Sequence, residues 1–179
     1  GVKFGKSESG AIWVSPEKTS PYQFYQFWLN TDDESAKDLI KIYTLLDRNT
    51  IEEAIEQHNN NPGSRILQTL LAYEVTKLIH GEERAEAVKN ASLLLFSKDN
   101  FELTDNITNI LASELPNINI GQSLVDSLVD SQIAKSKGEA KRLIANGSVS
   151  VNGVKVTEDI TIDNISIIKK GKNSFALAK

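Results

Sequence analysis

The chain has 179 residues, of which 40% are hydrophobic and 25% charged, a composition typical of one ordinary globular domain or two small ones. It contains no Cys, which excludes disulfides and cysteine nucleophiles, and its two His lie far apart, which leaves little for a metal site. No apolar run reaches the roughly 18 residues of a membrane helix. We therefore expect a cytoplasmic protein without membrane contact, and the absence of Met together with the start at Gly1 predicts a fragment of a longer protein.

The net charge of −4 is distributed unevenly along the chain. Residues 1–120 carry 11 Lys and Arg against 18 Asp and Glu, a net charge of −7, whereas residues 121–179 carry 9 against 6, a net charge of +3. Such a split predicts separate modules, and a basic module suggests an anionic partner such as nucleic acid. A solvated basic surface without a partner is the alternative.

Helical periodicity dominates residues 19–116. Capping residues, first-turn acids and apolar spacing predict six helices, which start in chain order at Ser20, Asp32, Thr50, Ser64, Glu82 and around Ile107. The first should stop near Asn30, the third is short and runs through Ile55, and Gly81 should end the fourth. This part of the chain is therefore predicted to be an all-α helical bundle.

The composition changes at residues 117–121, which we interpret as a linker. Two short helices follow, the second of which starts at Ser136 with Glu139 at capping-box spacing. The pattern then switches to period two, and Asn152-Gly153 between valines predicts a tight hairpin. Further strands are predicted at residues 160–162, 165–168 and 175–177, with a turn at 169–173. The predicted fold class is α+β multidomain, a helical bundle followed by a small α+β domain of two helices and a small β-sheet.

Three segments carry patterns of one known protein family. Residues 3–13 (KFGKSESGAIW) resemble the mobile signature loop of bacterial tyrosyl-tRNA synthetases, and residues 18–33 (KTSPYQFYQFWLNTDD) are similar to the start of the helical anticodon-binding domain in that family. Residues 134–144 (AKSKGEAKRLI) with 149–153 (VSVNG) resemble the RNA-binding fold named after the fourth protein of the small ribosomal subunit, which ends these synthetases and occurs in many RNA-binding proteins.

The order and spacing of the three segments agree with that family over essentially the whole chain. The resemblance implies a signature loop and connector from an absent catalytic domain at residues 1–18 and an α-helical anticodon-binding domain at 19–116. A linker would follow at 117–121, and the RNA-binding domain at 122–179.

The first segment carries two lysines around a glycine. Two ammonium groups on a pliable backbone suit a polyphosphate whose charge grows as it leaves, and the resemblance assigns Lys3, Lys6 and Ser7 to ATP and pyrophosphate. An exposed lysine pair is the alternative for an isolated pattern of this kind. A Walker-type phosphate loop also shares Gly5-Lys6-Ser7, but it needs a glycine five residues before Gly5, one position outside the chain.

The paired carboxylates Asp32 and Asp33 permit two interpretations. Acids at this position complement a helix start, but a carboxylate can also accept two hydrogen bonds from the edge of guanine. The resembling family reads the first anticodon base with an acidic residue of this domain, which points to Asp32. His58 and His80, near predicted helix ends, are expected to have cap or surface roles.

The last module carries basic residues that would grip RNA phosphates in the resembling fold, largely through shape and backbone rather than base edges. The candidates are Lys135, Lys137, Lys141 and Arg142 at the second helix, Lys155 on the hairpin, and Lys169, Lys170 and Lys172 in the final turn.

Taken together, the resemblance implies the tRNA-binding C-terminal portion of a tyrosine–tRNA ligase whose partner is tyrosine tRNA. The parent enzyme would use ATP and Mg²⁺ and form a homodimer through its catalytic domain. The fragment is expected to be a monomer, to bind no cofactor or metal stably and to be inactive alone. A free-standing or ribosome-associated RNA-binding protein with the same small fold is the alternative.

Overall fold

Residues 6–7, 10–96, 103–171 and 174–179 are described by the computed structural model of the protein. Packing divides the chain into two units, Gly1–Lys89 and Asn90–Lys179. Within the described residues, eight α-helices and nine short strands are present, so a helical bundle followed by a small α+β domain is confirmed as the fold class.

The first unit is helical after one short hairpin. Strands β1 (Lys6–Ser7) and β2 (Gly10–Ala11) pair antiparallel, with Lys6 opposite Ala11. The helices are α1 (Pro21–Leu29), α2 (Asp33–Tyr43), α3 (Arg48–Asn60), α4 (Ile66–His80) and α5 (Glu82–Phe96), the last of which continues into the second unit.

Helix α4 is the central element of the first unit, because α1, α2 and α3 all pack against it. It buries Leu67, Leu71 and Val75, whereas α1 buries Phe24, Tyr25 and Trp28. An apolar face at helical spacing therefore forms the core, and burial of such side chains stabilises the bundle by about 1.5–3 kcal/mol each.

Local hydrogen bonds determine where the helices begin. Ser20 caps α1 and Asp32 caps α2, as the sequence predicts. The predicted start of α3 at Thr50 is wrong, because Asp47 caps the helix by accepting hydrogen bonds from the Thr50 backbone N–H at 3.0 Å and hydroxyl at 2.7 Å. Helix α3 also continues well beyond Ile55, to Asn60.

The predicted start of α4 is also wrong, because Pro62–Ser64 forms a 3₁₀ turn and α4 itself begins at Ile66. The intervening Arg65 has left-handed backbone angles, φ 54° and ψ 31°. The predicted end of this helix at Gly81 is confirmed.

The second unit combines three further helices with most of the strands. The helices are α6 (Asp105–Glu114), α7 (Leu124–Asp130) and α8 (Lys137–Ala145). The strands are β3 (Asn117–Ile118), β4 (Gln122–Ser123), β5 (Val149–Val151), β6 (Val154–Val156), β7 (Thr161–Ile162), β8 (Ser166–Lys170) and β9 (Ser174–Ala178). Five of them form a sheet in the order β3-β9-β8-β5-β6, and β4 pairs with β7 separately.

The sheet has two different faces because side chains alternate along each strand. One face contains Val149, Ile168 and Ala176, which are buried in one core cluster with residues of α7 and α8. The alternate row runs from Lys155 through Ser150 and Lys169 to Phe175 and therefore lies on the opposite face.

The tight hairpin at Asn152-Gly153 is confirmed. Both residues have positive φ, 48° and 83°, as a primed turn requires. The Asn152 side-chain oxygen also accepts a hydrogen bond from the Ile167 backbone N–H at 2.8 Å, which ties the hairpin to β8.

Two other segments differ in detail from the sequence patterns. Lys169 and Lys170 are the last residues of β8 rather than part of a turn. Residues 117–118, inside the predicted linker, form β3, which pairs in parallel with β9. The predicted domain bounds at 1–18, 19–116, 117–121 and 122–179 stay a prediction. Among the described helices, none is long and apolar enough to cross a membrane.

Candidate nucleic-acid interface

Helix α8 presents basic side chains at the surface of the second unit. Its N-cap Ser136 accepts a hydrogen bond from the Glu139 backbone N–H at 3.3 Å, and the Glu139 carboxylate accepts one from the Lys135 backbone N–H at 2.9 Å. This capping box fixes the start of the helix. Buried Ala140 and Ile144 define its inner face, so Lys141 and Arg142 are exposed.

Four of the predicted cations have exposed side chains that make no ion pair or hydrogen bond within the described part of the chain. They are Lys135, Lys141, Arg142 and Lys155. Lys155 lies on β6, at the edge of the five-stranded sheet. An exposed cation without an internal partner is available to a phosphate without first breaking a contact.

Lys137 has a different environment, because its ammonium group lies 2.6 Å from the Asp126 carboxylate on α7. The hydrogen bond and charge of Asp126 raise the pKa of Lys137, and the same contact lowers the pKa of Asp126. The Lys137 side chain is largely exposed and that of Asp126 is partly exposed, so the pair is screened by solvent and contributes little to stability.

Lys169 and Lys170 are half-buried and have internal partners. Lys169 Nζ donates a hydrogen bond to the Leu95 carbonyl oxygen at 2.8 Å and lies 5.6 and 5.3 Å from the ring centroids of Phe96 and Phe175. Lys170 Nζ donates to the Ile133 carbonyl oxygen at 3.1 Å. The structure therefore places these two lysines in packing contacts rather than in free contact with solvent.

Two neighbouring grooves lie beside these side chains. The larger is open, with a volume of about 740 Å³, and lies between the end of α8 and the sheet, where its lining includes Ser150, Lys155 and Lys169. The second is lined by Lys135 and Glu139, and Lys170 lines both. The two linings together contain four cations, Lys135, Lys155, Lys169 and Lys170, so the adjoining depressions have a shape and charge suited to a phosphate backbone.

Two of the predicted phosphate ligands, Lys3 and Lys172, lie outside the described residues. Lys6 and Ser7 form strand β1, whose backbone pairs with β2. The roles predicted for these four side chains stay predictions.

Asp32 is exposed at the N-cap of α2, where its Oδ1 accepts a hydrogen bond from the Ser35 backbone N–H at 2.9 Å. The hydrogen bonds from Ser35 hold the pKa of Asp32 below its usual value, so the side chain is a carboxylate at neutral pH. A carboxylate has about four lone-pair positions, so the cap leaves acceptor capacity for a ligand.

Asp33 faces the bundle. Its Oδ1 accepts a hydrogen bond from Gln68 Nε2 at 2.6 Å and lies 3.3 Å from His58 Nε2. The expected cap or surface role of His58 is wrong, because its side chain is only 1% exposed. Sequence patterns miss Gln68 and Arg65 as neighbours of the Asp32 region, because these contacts join residues more than 30 positions apart.

Comparison with known families covers nearly the whole chain. Residues 1–97 match the family described as class I tRNA synthetases (W and Y), and residues 106–178 match the SYY-like C-terminal domain of tyrosine–tRNA ligases.

Two curated relatives give the same assignment. The tyrosine–tRNA ligase of Mycoplasma capricolum is 37% identical over 98% of this chain and 45% of its own length, and that of Leuconostoc mesenteroides is 39% identical over 100% and 46%. A solved C-terminally truncated mitochondrial tyrosyl-tRNA synthetase from Aspergillus nidulans is 37% identical with a TM-score of 0.48, covering 48% of this chain and 25% of that one.

The chain thus spans less than half the length of the curated relatives it matches. Since the first family match includes more than half of its residues, the chain belongs to the class I tRNA synthetases for tryptophan and tyrosine and corresponds to the C-terminal part of a tyrosyl-tRNA synthetase.

Proposed function

We propose that this chain is the tRNA-binding portion of a tyrosine–tRNA ligase that acts in the cytoplasm, and that it binds tyrosine tRNA mainly through residues 122–179. The carrying observation is a set of four exposed cations for which the described residues provide no ion pair or side-chain hydrogen bond, namely Lys135, Lys141, Arg142 and Lys155. Of these, Lys135 and Lys155 line the two adjoining grooves of the second unit. Lys137 adds a fifth contact when it exchanges Asp126 for a phosphate. Lys172, whose position is not described, completes the proposed set.

The opposite charges of the two parts of the chain support this assignment. A polyanion approaches the segment of net charge +3 and is repelled by most of the segment of net charge −7. Phosphate contacts of this kind supply affinity and orientation but carry no sequence information. Specificity for one tRNA therefore requires a second contact outside the basic surface.

We assign that second contact to Asp32, which accepts hydrogen bonds from the guanine at the first anticodon position. Guanine offers an N–H and an amino group on its Watson–Crick edge, and an ionised carboxylate accepts both. The low pKa and exposed position of Asp32 support this role.

The parent enzyme would activate tyrosine with ATP and Mg²⁺ and transfer it to the tRNA. Lys3 and Lys6, helped by the Ser7 hydroxyl, would stabilise the charge that develops on the departing pyrophosphate. The tyrosine pocket and the homodimer contacts belong to the catalytic domain. The fragment by itself is therefore a monomer that binds tRNA without catalysis.

Binding of two tRNA transcripts tests the proposal. The full chain is titrated with tyrosine tRNA and with a variant in which only the first anticodon base differs. Asp32→Asn keeps a good N-cap residue but replaces one acceptor oxygen by a donor. We expect this change to reduce the preference for the native anticodon by about 5- to 150-fold, the value of a bidentate base contact.

Asp47→Asn is the matched control, because Asp47 caps α3 with the same geometry and also has a lowered pKa. It should leave the preference unchanged. If the wild-type chain binds both transcripts equally, or Asp32→Asn keeps the full preference, Asp32 does not read the anticodon. If neither transcript binds, the proposed function is wrong.

A further inference from the structure

The loop between α1 and α2, residues 30–32, is attached to the start of α4. Arg65 Nη2 donates hydrogen bonds to the carbonyl oxygens of Leu29, at 2.5 Å, and Thr31, at 3.3 Å. The Thr31 hydroxyl also donates to the Trp28 carbonyl oxygen at 2.8 Å. The backbone immediately before Asp32 is thereby tied to a residue 34 positions away.

The residue immediately after Asp32 is tied to the same helix. Gln68, one turn into α4 and fully buried, donates its Nε2 hydrogen bond to the Asp33 carboxylate at 2.6 Å. His58 of α3, also buried, lies 3.3 Å from the same oxygen. Burying an amide costs free energy unless it is hydrogen-bonded. Moving the Asp33 carboxylate would leave the buried Gln68 amide without this hydrogen bond, so the contact holds Asp33 in place.

The left-handed backbone conformation of Arg65 is an independent indication that its side chain is needed at this position. A non-glycine residue in the left-handed region costs about 1 kcal/mol, and a glycine would avoid this cost. Arg65 also provides no side-chain cap for α4. Its guanidinium instead reaches the backbone at the end of α1 and in the α1–α2 loop, where it donates two hydrogen bonds.

We propose that Arg65 and Gln68 are positioning residues that hold Asp32 in the orientation needed to read the first anticodon base. This inference rests on the reading role proposed for Asp32. A bidentate contact requires the carboxylate to be held within about 0.5 Å and 10–20° of its productive position. Arg65 holds the residue before Asp32, Gln68 holds the residue after it, and Ser35 holds its carboxylate.

Arg65→Gly separates this role from a general effect on stability. Glycine accepts the left-handed backbone at position 65, so the relieved strain offsets part of the lost hydrogen bonding, while the guanidinium is removed. We expect the preference for the native anticodon to fall by about 2- to 150-fold, the range seen for coupled neighbours. The affinity for the first-base variant tRNA and the salt dependence of binding should stay at the wild-type values.

Two further variants complete the experiment. Arg65→Lys keeps one cationic donor and should restore part of the preference. The double change Arg65→Gly with Asp32→Asn should lose no more preference than Asp32→Asn alone, because a positioning residue acts only through the group it positions. Gln68→Met, which removes the donor in a similar volume, should resemble Arg65→Gly.

The outcomes distinguish this inference from the function on which it rests. If Asp32→Asn keeps the wild-type preference, both the reading role and the positioning role are wrong. If Asp32→Asn loses the preference while Arg65→Gly and Gln68→Met keep it, only the positioning role is wrong. Equal weakening of both tRNAs by Arg65→Gly, with a lowered melting temperature, identifies a purely structural residue and also overturns the inference.

Discussion

Removing the two unpaired cations of α8 should flatten the salt dependence of tRNA binding. Lys141 and Arg142 are exposed, and within the described residues their side chains make no ion pair or hydrogen bond that their loss would remove. Each phosphate contact contributes a slope of about −0.7 to −0.9 to the logarithm of affinity against the logarithm of salt concentration. The four cations Lys135, Lys141, Arg142 and Lys155 therefore contribute about −2.8 to −3.6 to the slope, and Lys137 and Lys172 would each add about −0.7 to −0.9.

The expected effect is large enough to measure by filter binding or fluorescence anisotropy. Between 50 and 200 mM salt these four contacts should lower the wild-type affinity about 50- to 150-fold, and Lys141→Ala with Arg142→Ala should reduce their share to about 7- to 12-fold. The change should weaken all RNAs alike, because phosphate contacts carry no sequence information.

Lys41→Ala with Arg48→Ala provides a control of equal charge change. Both residues lie in the first unit, where Lys41 pairs with the carboxylate of Asp38 and Arg48 with that of Glu52. This control should keep the wild-type slope. A wild-type slope in the α8 double variant, or an equal flattening in the control, would refute the assignment of the phosphates to this surface.

Three other changes have distinct expected results. Lys169→Ala should lower the free energy of unfolding by about 1–3 kcal/mol without changing the salt slope, since it removes a charged hydrogen bond and two ring contacts; an unchanged melting temperature would contradict this. Burial, with the charge of Glu86, raises the pKa of Tyr25 to about 12, so the folded state keeps a proton that the unfolded state loses above about pH 10. Stability should therefore fall between pH 10 and 12, and Tyr25→Phe should reduce that fall in alkaline denaturation curves. In a full-length ligase carrying this sequence, Lys3→Ala or Lys6→Ala should slow tyrosyl-adenylate formation about 10²- to 10³-fold without changing tyrosine affinity, and wild-type pyrophosphate exchange in both variants would be the opposite result.

Local signals in the sequence predict much of this fold. The cap at Ser20, the capping box at Ser136 and the hairpin at Asn152-Gly153 each depend on residues a few positions apart, and each is confirmed. The start of α3 is wrong by two residues because Asp47, an equally good cap, precedes the Thr50 signal.

Sequence patterns cannot predict contacts between residues that are far apart in the chain. The parallel pairing of β3 with β9 joins residues 60 positions apart, and no turn signal marks it. The carbonyl partners of Lys169 and Lys170 lie 74 and 37 positions away, so the sequence predicts eight similar cations where the structure separates exposed side chains from packed ones. Arg65 is missed for the same reason, because its side chain donates a hydrogen bond to the carbonyl oxygen of Leu29, 36 positions away.

The most direct test of the central claim is a lysine footprint of the full chain with tyrosine tRNA, in which acetylation rates are measured by mass spectrometry. Bound tRNA should protect Lys135, Lys141 and Lys155, whereas Lys41 and Lys77 in the helical unit should react at the rate of the free protein. Equal protection of both groups, or protection confined to the helical unit, would contradict the claim that residues 122–179 provide the tRNA-binding surface.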